Sequence, residues 1–373
     1  GGTVDITSYA DGIQAEQEFI MNGGDVKIYT YQGSNYTGSG STTGGNQGGW
    51  GFSGGGMDGN SSKTDISAKG IKAVGLYDAA GTTWQSKGDL FIYGGTLNIN
   101  SSDDALHCGG SMELIGGDLT LATADDGVHS DHDLTIGKGS ADTYDDIRIS
   151  VTQAYEGIEG MNITQNSGTV IVTSTDDGFN AAGGNDGSGN QPGGPGGPGG
   201  NPWGQGGWGQ SSTTNSNICM TFNGGFALVN VSDGDHDGYD SNGNIKLNGG
   251  IQVSNGNEPF DCGDGGYSVS ANGSTWISYY GSTMGDSLRS SASVSASANP
   301  AAGTRISLVD KSGKVIVSFI RGKKSASSFY AGGANASGAS FYTGGTVSGG
   351  TELISEDSNG VILGGTLSGG SKI

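Results

Sequence analysis

Hydrophobic residues make up only 32% of this 373-residue chain, and basic residues are scarcer still, with 16 Lys+Arg against 37 Asp+Glu and a formal net charge of −21. Set beside 77 glycines, the first shortage argues against a conventional globular core built from helices. The second excludes nucleic acid and anionic membrane surfaces as partners, because phosphates and acidic lipids gain nothing from such a surface. It favours cations instead, and calcium, which prefers carboxylate and carbonyl oxygens, is the natural candidate. No apolar run approaches the roughly 20 residues that span a bilayer, so insertion into a membrane is not expected. The three cysteines, Cys108, Cys219 and Cys262, lack CxxC spacing and allow at most one bridge, so disulfides do not form the framework. No signal peptide is recognisable at Gly1, which reads as the start of a processed or trimmed product.

What is present is a repeat interrupted by insertions. The stretches SYADGIQA (8–15), ISAKGIKA (66–73), SSDDALHC (101–108), TADDGVHS (123–130), QAYEGIEG (153–160), STDDGFNA (174–181) and DHDGYDS (235–241) align on one small hinge residue. The hinges are Gly12, Gly70, Ala105, Gly127, Gly157, Gly178 and Gly238, and a degenerate copy, NEPFDC, follows at 257–262. Ala105 and Gly127 are 127 − 105 = 22 residues apart; larger gaps contain visible insertions. A second motif of glycine pairs and short alternating strands keeps step, as in GGTLNI (94–99), GGDLTL (116–121) and SGTVIV (167–172). Short apolar segments such as MELI (112–115) and NIKL (244–247) make a third element. Apolar–polar alternation over such short runs has the two-residue period of strands.

Three short strands per unit predict an all-β chain, a right-handed parallel β-helix in which each coil of about 22 residues stacks on the last. The handedness follows the general rule for parallel crossovers. Glycine-rich insertions interrupt it at about 33–59 and about 183–216, the second containing PGGPGGPGGNPWGQGGWGQ. The expected division is a β-helix over 1–266 and a C-terminal β-strand extension or cap over 267–373, since a bare final coil would offer unpaired edges.

Stacking would bring the residues before each hinge into one column, Asp104, Asp126, Glu156, Asp177 and Asp237, at a spacing of about 4.8 Å. Carboxylates so close repel unless protons, cations or N–H groups relieve them. A second column holds His107, His129, Glu159, Asn180 and Asp240, and its histidines read as an exposed polar ladder. The segment SDGDHDGYD (232–240) adds Asp233 and Asp235 to the same corner. One reading has these acids accepting backbone N–H bonds within their own tight turns. The other, favoured for the set as a whole, is bound Ca²⁺, because turn capping does not require two adjacent acids per turn.

SAKGIKA (67–73), the DDG-apolar-H/N turns at 103–107, 125–129 and 176–180, the GG-x-apolar strands and the closing segment ISLVDKSGKVIVSF…SFYTGG (306–343) together resemble a family of bacterial carbohydrate-binding proteins with a polysaccharide-lyase-like, right-handed parallel β-helix. The resemblance implies a secreted protein that binds cellulose and pectin-type acidic polysaccharides and carries surface calcium sites. By motif it makes Asp103, Asp104, Asp125, Asp126, Asp176 and Asp177 calcium candidates, to which the columns add Glu156, Asp233, Asp235 and Asp237. AYEG (154–157) departs from the motif by placing Tyr155 where the other copies have an acid.

The expected function is therefore a secreted, calcium-stabilised, non-catalytic binder of plant cell-wall polysaccharide, in which Trp50, Trp203 and Trp208 either anchor their own glycine-rich insertions or serve as aromatic platforms for sugar rings. Two alternatives stand beside it. A self-assembling or adhesive filament at the cell surface would use stacked coils to join subunits end to end. A calcium-dependent polysaccharide lyase would need a base beside a uronate, and no carboxylate–base constellation with a required spacing is found.

Overall fold

The computed structural model describes residues 1–37, 66–77, 84–139, 143–144, 146–181, 217–232, 234, 236–263, 267–281, 288–354 and 360–373. Among them there is no α-helix, only strands and two short 3₁₀ turns. The largest parallel array contains Thr3–Ser8, Asp25–Thr30, Thr96–Ser101, Gly117–Thr123, Ile147–Gln153, Thr169–Thr173, Phe226–Asn230, Ile251–Asn255 and Thr275–Tyr280, side by side in chain order. Between successive members the chain visits a second parallel sheet through strands such as Leu106–Cys108 and Met112–Leu114. Each complete unit thus supplies one strand to the first sheet and two segments to the second, matching the three elements read from the repeat.

The strands hold because alternate side chains enter a shared interior. Leu97, Ile99, Leu119, Leu121, Ile149, Val151, Val170 and Val172 from the first sheet join Leu106, Val128, Ile158 and Phe179 from the second in one buried cluster. Toward the later units aromatic rings take over: Tyr239 and Phe260 stack at 5.0 Å, and Trp276 follows edge-on at 6.5 Å. The hinge positions admit little beyond glycine. A Cβ at Gly178 would lie 2.5 Å from the Gly238 carbonyl oxygen, so backbone would have to move.

The outward face of the first sheet changes character along the stack. Early strands present Asp25, Lys27, Tyr29, Thr96, Asn98 and Thr120, all exposed. Later strands present Ile171, Phe226, Leu228, Val253 and Ile277, which are buried against Ile306, Leu308, Val317, Phe319 and Phe341 of the C-terminal segment. That segment forms an antiparallel sheet around Arg305–Val309 and Val315–Ile320. Parallel pairing continues to Ser278, after which Ser328–Gly333 pairs antiparallel with Thr275–Tyr280 and occupies its outer edge. A strand edge left open there would invite pairing with another chain.

Candidate functional site: the acidic corner and the open face

The turns between the first and second sheets stack in register. In every repeat the hinge N–H donates to the carbonyl of the residue before the next hinge: Gly12 to Lys69, Gly70 to Asp104, Ala105 to Asp126, Gly127 to Glu156, Gly157 to Asp177, Gly178 to Asp237 and Gly238 to Glu258, at 2.9–3.1 Å. The residues Asp11, Lys69, Asp104, Asp126, Glu156, Asp177, Asp237 and Glu258 therefore form one column.

Most of these carboxylates have a structural task that differs from capping their own turn. Asp11 Oδ1 accepts the Lys69 N–H (2.9 Å), Asp104 Oδ1 that of Asp126 (3.2 Å) and Asp126 Oδ1 that of Glu156 (3.4 Å). Asp177 Oδ1 accepts the Asp237 N–H (2.7 Å), and Asp237 Oδ1 that of Glu258 (2.8 Å). Each acid thus satisfies a backbone donor one repeat further on, and a buried donor left unpaired would cost about 1–3 kcal/mol. The partner lies 21 to 60 residues away in sequence, which is why spacing within a turn gave no sign of it.

Lys69 is the exception in the column and the residue that the acid motif passes over. Its ammonium lies 2.7 Å from Asp103 Oδ1 and 2.6 Å from Asp104 Oδ2, and the residue is only 4% exposed. Burial opposes its charge, but the carboxylates of Asp104 and Asp103 outweigh burial and hold the ammonium above its ordinary value. Burial likewise opposes ionisation of Asp104, yet the Lys69 charge and the His107 hydrogen bond keep it well below the usual carboxylate range. Asp103 moves the other way, raised by burial and then by the charge of Asp104. His107 Nδ1 donates to Asp104 Oδ2 at 2.8 Å, and burial followed by the Lys69 charge pushes the ring's pKa down.

The histidine ladder is a correction to the sequence reading. His107 and His129 are buried, not exposed, and their rings stack at 4.8 Å. His129 has Glu159 Oε2 at 3.0 Å from Nδ1 and Asp131 Oδ1 at 3.0 Å from Nε2, with Asp126 Oδ2 at 3.5 Å from Nδ1. His236 Nδ1 is 2.6 Å from Asp176 Oδ1. His132 likewise has Lys87 Nζ at 2.6 Å.

Two groups along the corner bring three ligand atoms together among the described residues, and they differ in what they can hold. Asp103, Asp104 and Asp125 bring carboxylate oxygens within 4.8 Å of one another, but the Lys69 ammonium is already bonded to two of them. Asp126, His129 and Glu159 combine oxygen with nitrogen, a donor set that suits transition metals better than calcium. Around Asp177 the acids Asp240, Asp176 and Asp237 gather charge of one sign, with His236 bonded to Asp176. Burial and then the charges of Asp240, Asp176 and Asp237 push its carboxyl well above the ordinary value, and no cationic side chain is bonded to it among the described residues. Glu156 accepts from Asn180 Nδ2 at 3.1 Å. Asp233, Asp235, Trp50, Trp203 and Trp208 lie outside the described residues.

A second feature, not singled out in the sequence, is a group of tyrosines on the early repeats. Tyr9 is 89% exposed, and Tyr29 and Tyr31 are 37% and 38% exposed. Tyr31 N–H donates to Ser8 O, so Tyr31 sits beside the Ser8–Tyr9 corner, and its ring meets Tyr36 edge-on at 5.5 Å. Tyr31 has φ +50, the one non-glycine in the left-handed region among the described residues. Next to it a groove of about 280 Å³ is lined by Asn35, Tyr36, Gln153 and Tyr155. The positive φ could not have been read from the sequence, because TYQG resembles any polar turn.

A family model described as "Carbohydrate-binding domain-containing protein" matches residues 1–127, the stretch that contains these tyrosines, Lys69 and the first acid turns. No curated protein and no solved structure matches the chain. The family match supports a carbohydrate-binding domain within this chain and a carbohydrate as its partner.

Proposed function

We propose that the chain is a non-catalytic, calcium-stabilised binder of cell-wall polysaccharide, cellulose or pectin in type, acting outside the cell, with its parallel strands wound as a right-handed parallel β-helix. The observation that carries this reading is Tyr31. A non-glycine residue in the left-handed region costs on the order of 1–3 kcal/mol, and such strain concentrates at binding sites. Here the strained backbone presents a half-exposed ring beside Tyr9 and Tyr29. Aromatic rings of this kind stack on the apolar faces of sugars, while flanking polar groups fix orientation. The adjoining face of the first sheet offers exposed Lys27, Asn98 and Thr120 for that purpose, in register on neighbouring parallel strands. Lys69 is enclosed and engaged with two carboxylates, which favours binding over lyase chemistry at the corner.

Calcium in this reading neutralises the carboxylates around Asp177, where burial and the charges of Asp240, Asp176 and Asp237 disfavour a bare anion. Its role in this reading is to neutralise the later half of the corner, as Lys69 neutralises the earlier half.

Retention on insoluble cellulose and on immobilised polygalacturonate tests the reading. Wild-type protein is retained on at least one of them, and Tyr31→Gly weakens retention by about tenfold, the equivalent of about 1.4 kcal/mol. Glycine tolerates positive φ, so the same variant keeps the wild-type Tm or exceeds it. Equal retention of the two proteins removes Tyr31 from the site, and no retention on either matrix removes the polysaccharide reading.

A further inference from the structure

Lys69, Asp103 and Asp104 form more than an ion pair in their geometry. Lys69 comes from one repeat and both acids from the next, 103 − 69 = 34 residues later, so the cluster bridges two stacked turns. All three side chains are buried. The Lys69 nitrogen is within hydrogen-bond distance of one oxygen of each carboxylate. The Asp103 carboxylate is also held from its other sides: Oδ1 accepts the Asp104 N–H at 2.9 Å, and Oδ2 accepts the Ala68 N–H at 3.3 Å. An amine, a fixed carboxyl and a second carboxylate touching the amine are the parts needed to make an amide within the chain.

We propose that Lys69 Nζ and Asp103 Cγ condense to an intramolecular isopeptide bond, with Asp104 as the proton carrier. The resting ion pair keeps the proton on Lys69; in the minor state in which that proton has passed to Asp104 Oδ2, the freed amine attacks Asp103 Cγ. The Ala68 N–H holds the negative charge that develops on Oδ2, as a preorganised donor does in acyl transfer. Oδ1 leaves as water, taking the proton carried by Asp104 and a second proton from the attacking nitrogen. An ammonium and a carboxylate become a neutral amide and one water, with no oxidant, metal or co-reactant. Holding the amine against the carboxyl supplies the effective concentration that makes such a step possible without an enzyme.

The bond would do for this chain what a disulfide does elsewhere. Cys108, Cys219 and Cys262 are all free, and burial pushes the Cys108 thiol up to about 12, so no bridge ties one repeat to another. An amide between residues 69 and 103 closes a loop around the stretch that joins two stacked turns, and a crosslink of that kind restricts the unfolded chain.

Intact-mass measurement on the purified full-length chain, followed by peptide mapping, decides the matter. The expected result is a mass lower by one water than the sequence value, with that loss carried by a branched peptide joining Lys69 to Asp103. Lys69→Arg keeps the positive charge but retains the full sequence mass, and Asp104→Asn retains it or loses water far more slowly. A wild-type chain at its full sequence mass after prolonged incubation at neutral pH overturns the proposal. So does a water loss mapped to an Asp-Gly pair such as Asp126–Gly127, which would mark a cyclic imide.

Discussion

Lys69→Met lowers the stability of the protein at about pH 7 by about 3–5 kcal/mol relative to the chain in which Lys69 and Asp103 are still an ion pair, the usual cost of removing one partner from a buried pair. Methionine fills a similar volume, so the loss reports charge and bonding rather than a cavity. Asp104 is then left fully buried, with His107 and the Asp126 N–H as its remaining donors, while Asp103 keeps only the backbone N–H groups of Ala68 and Asp104. The pH dependence changes sign. In the wild type Asp104 is held below its ordinary value of 3.8, so its contribution is present above that pH and is lost only as the pH falls through the lower, folded value. In the variant, burial without a counter-charge raises both acids. The folded form then keeps protons that the unfolded chain releases, and the stability deficit shrinks as the pH falls from about 7 toward about 4.5. Urea melts at those two pH values check it. A variant equally destabilised at both would show that Lys69 acts through packing alone.

Asp177→Asn raises stability in the presence of a chelator and abolishes the stabilisation that calcium brings. The amide oxygen still accepts the Asp237 N–H, so the link between repeats survives, but the charge resisted by burial and by Asp240, Asp176 and Asp237 is gone. Removing it returns stability, because the folded chain no longer carries a charge that burial and its neighbours disfavour. With the proposed calcium site, wild-type protein is expected to gain about 2.7 kcal/mol when free calcium reaches one hundred times its dissociation constant. Thermal melts with chelator and with calcium measure both effects. A variant that gains as much from calcium as the wild type would move the ion away from Asp177.

Much of this fold can be read in the repeat itself. GGTLNI, MELI and DDGVHS each became a strand or turn of the expected kind, because a two-residue apolar period and a glycine hinge are local properties. The outward apolar residues Ile171, Leu228 and Val253 also carried a legible signal, since a strand buried on both faces loses its alternation. The corner was harder to read. Aligning the copies by their acids drew attention to DDG and away from ISAKGIKA, where the same column holds Lys69. The burial of His107 and His129 depends on neighbouring repeats that cover them, and Asp104 and Asp177 serve donors in a repeat that follows much later. These are long-range consequences of stacking, visible only once the register is known. Tyr31 belongs to the same class, because its left-handed backbone is set by the turn that packs on Ser8 and Asn100.

Everything said of the corner depends on Asp-rich turns lying one above another in register. Asn180 and Asp240 are direct partners on neighbouring parallel strands although 240 − 180 = 60 residues separate them. Neighbouring parallel strands place paired residues about 4.8 Å apart, within the span that a disulfide can close. In the double variant Asn180→Cys/Asp240→Cys, mild oxidation should produce a bridge between positions 180 and 240, found by peptide mapping in nearly all of the folded protein. Two free thiols at those positions, or a bridge from either one to a native cysteine instead, would contradict the stacked corner.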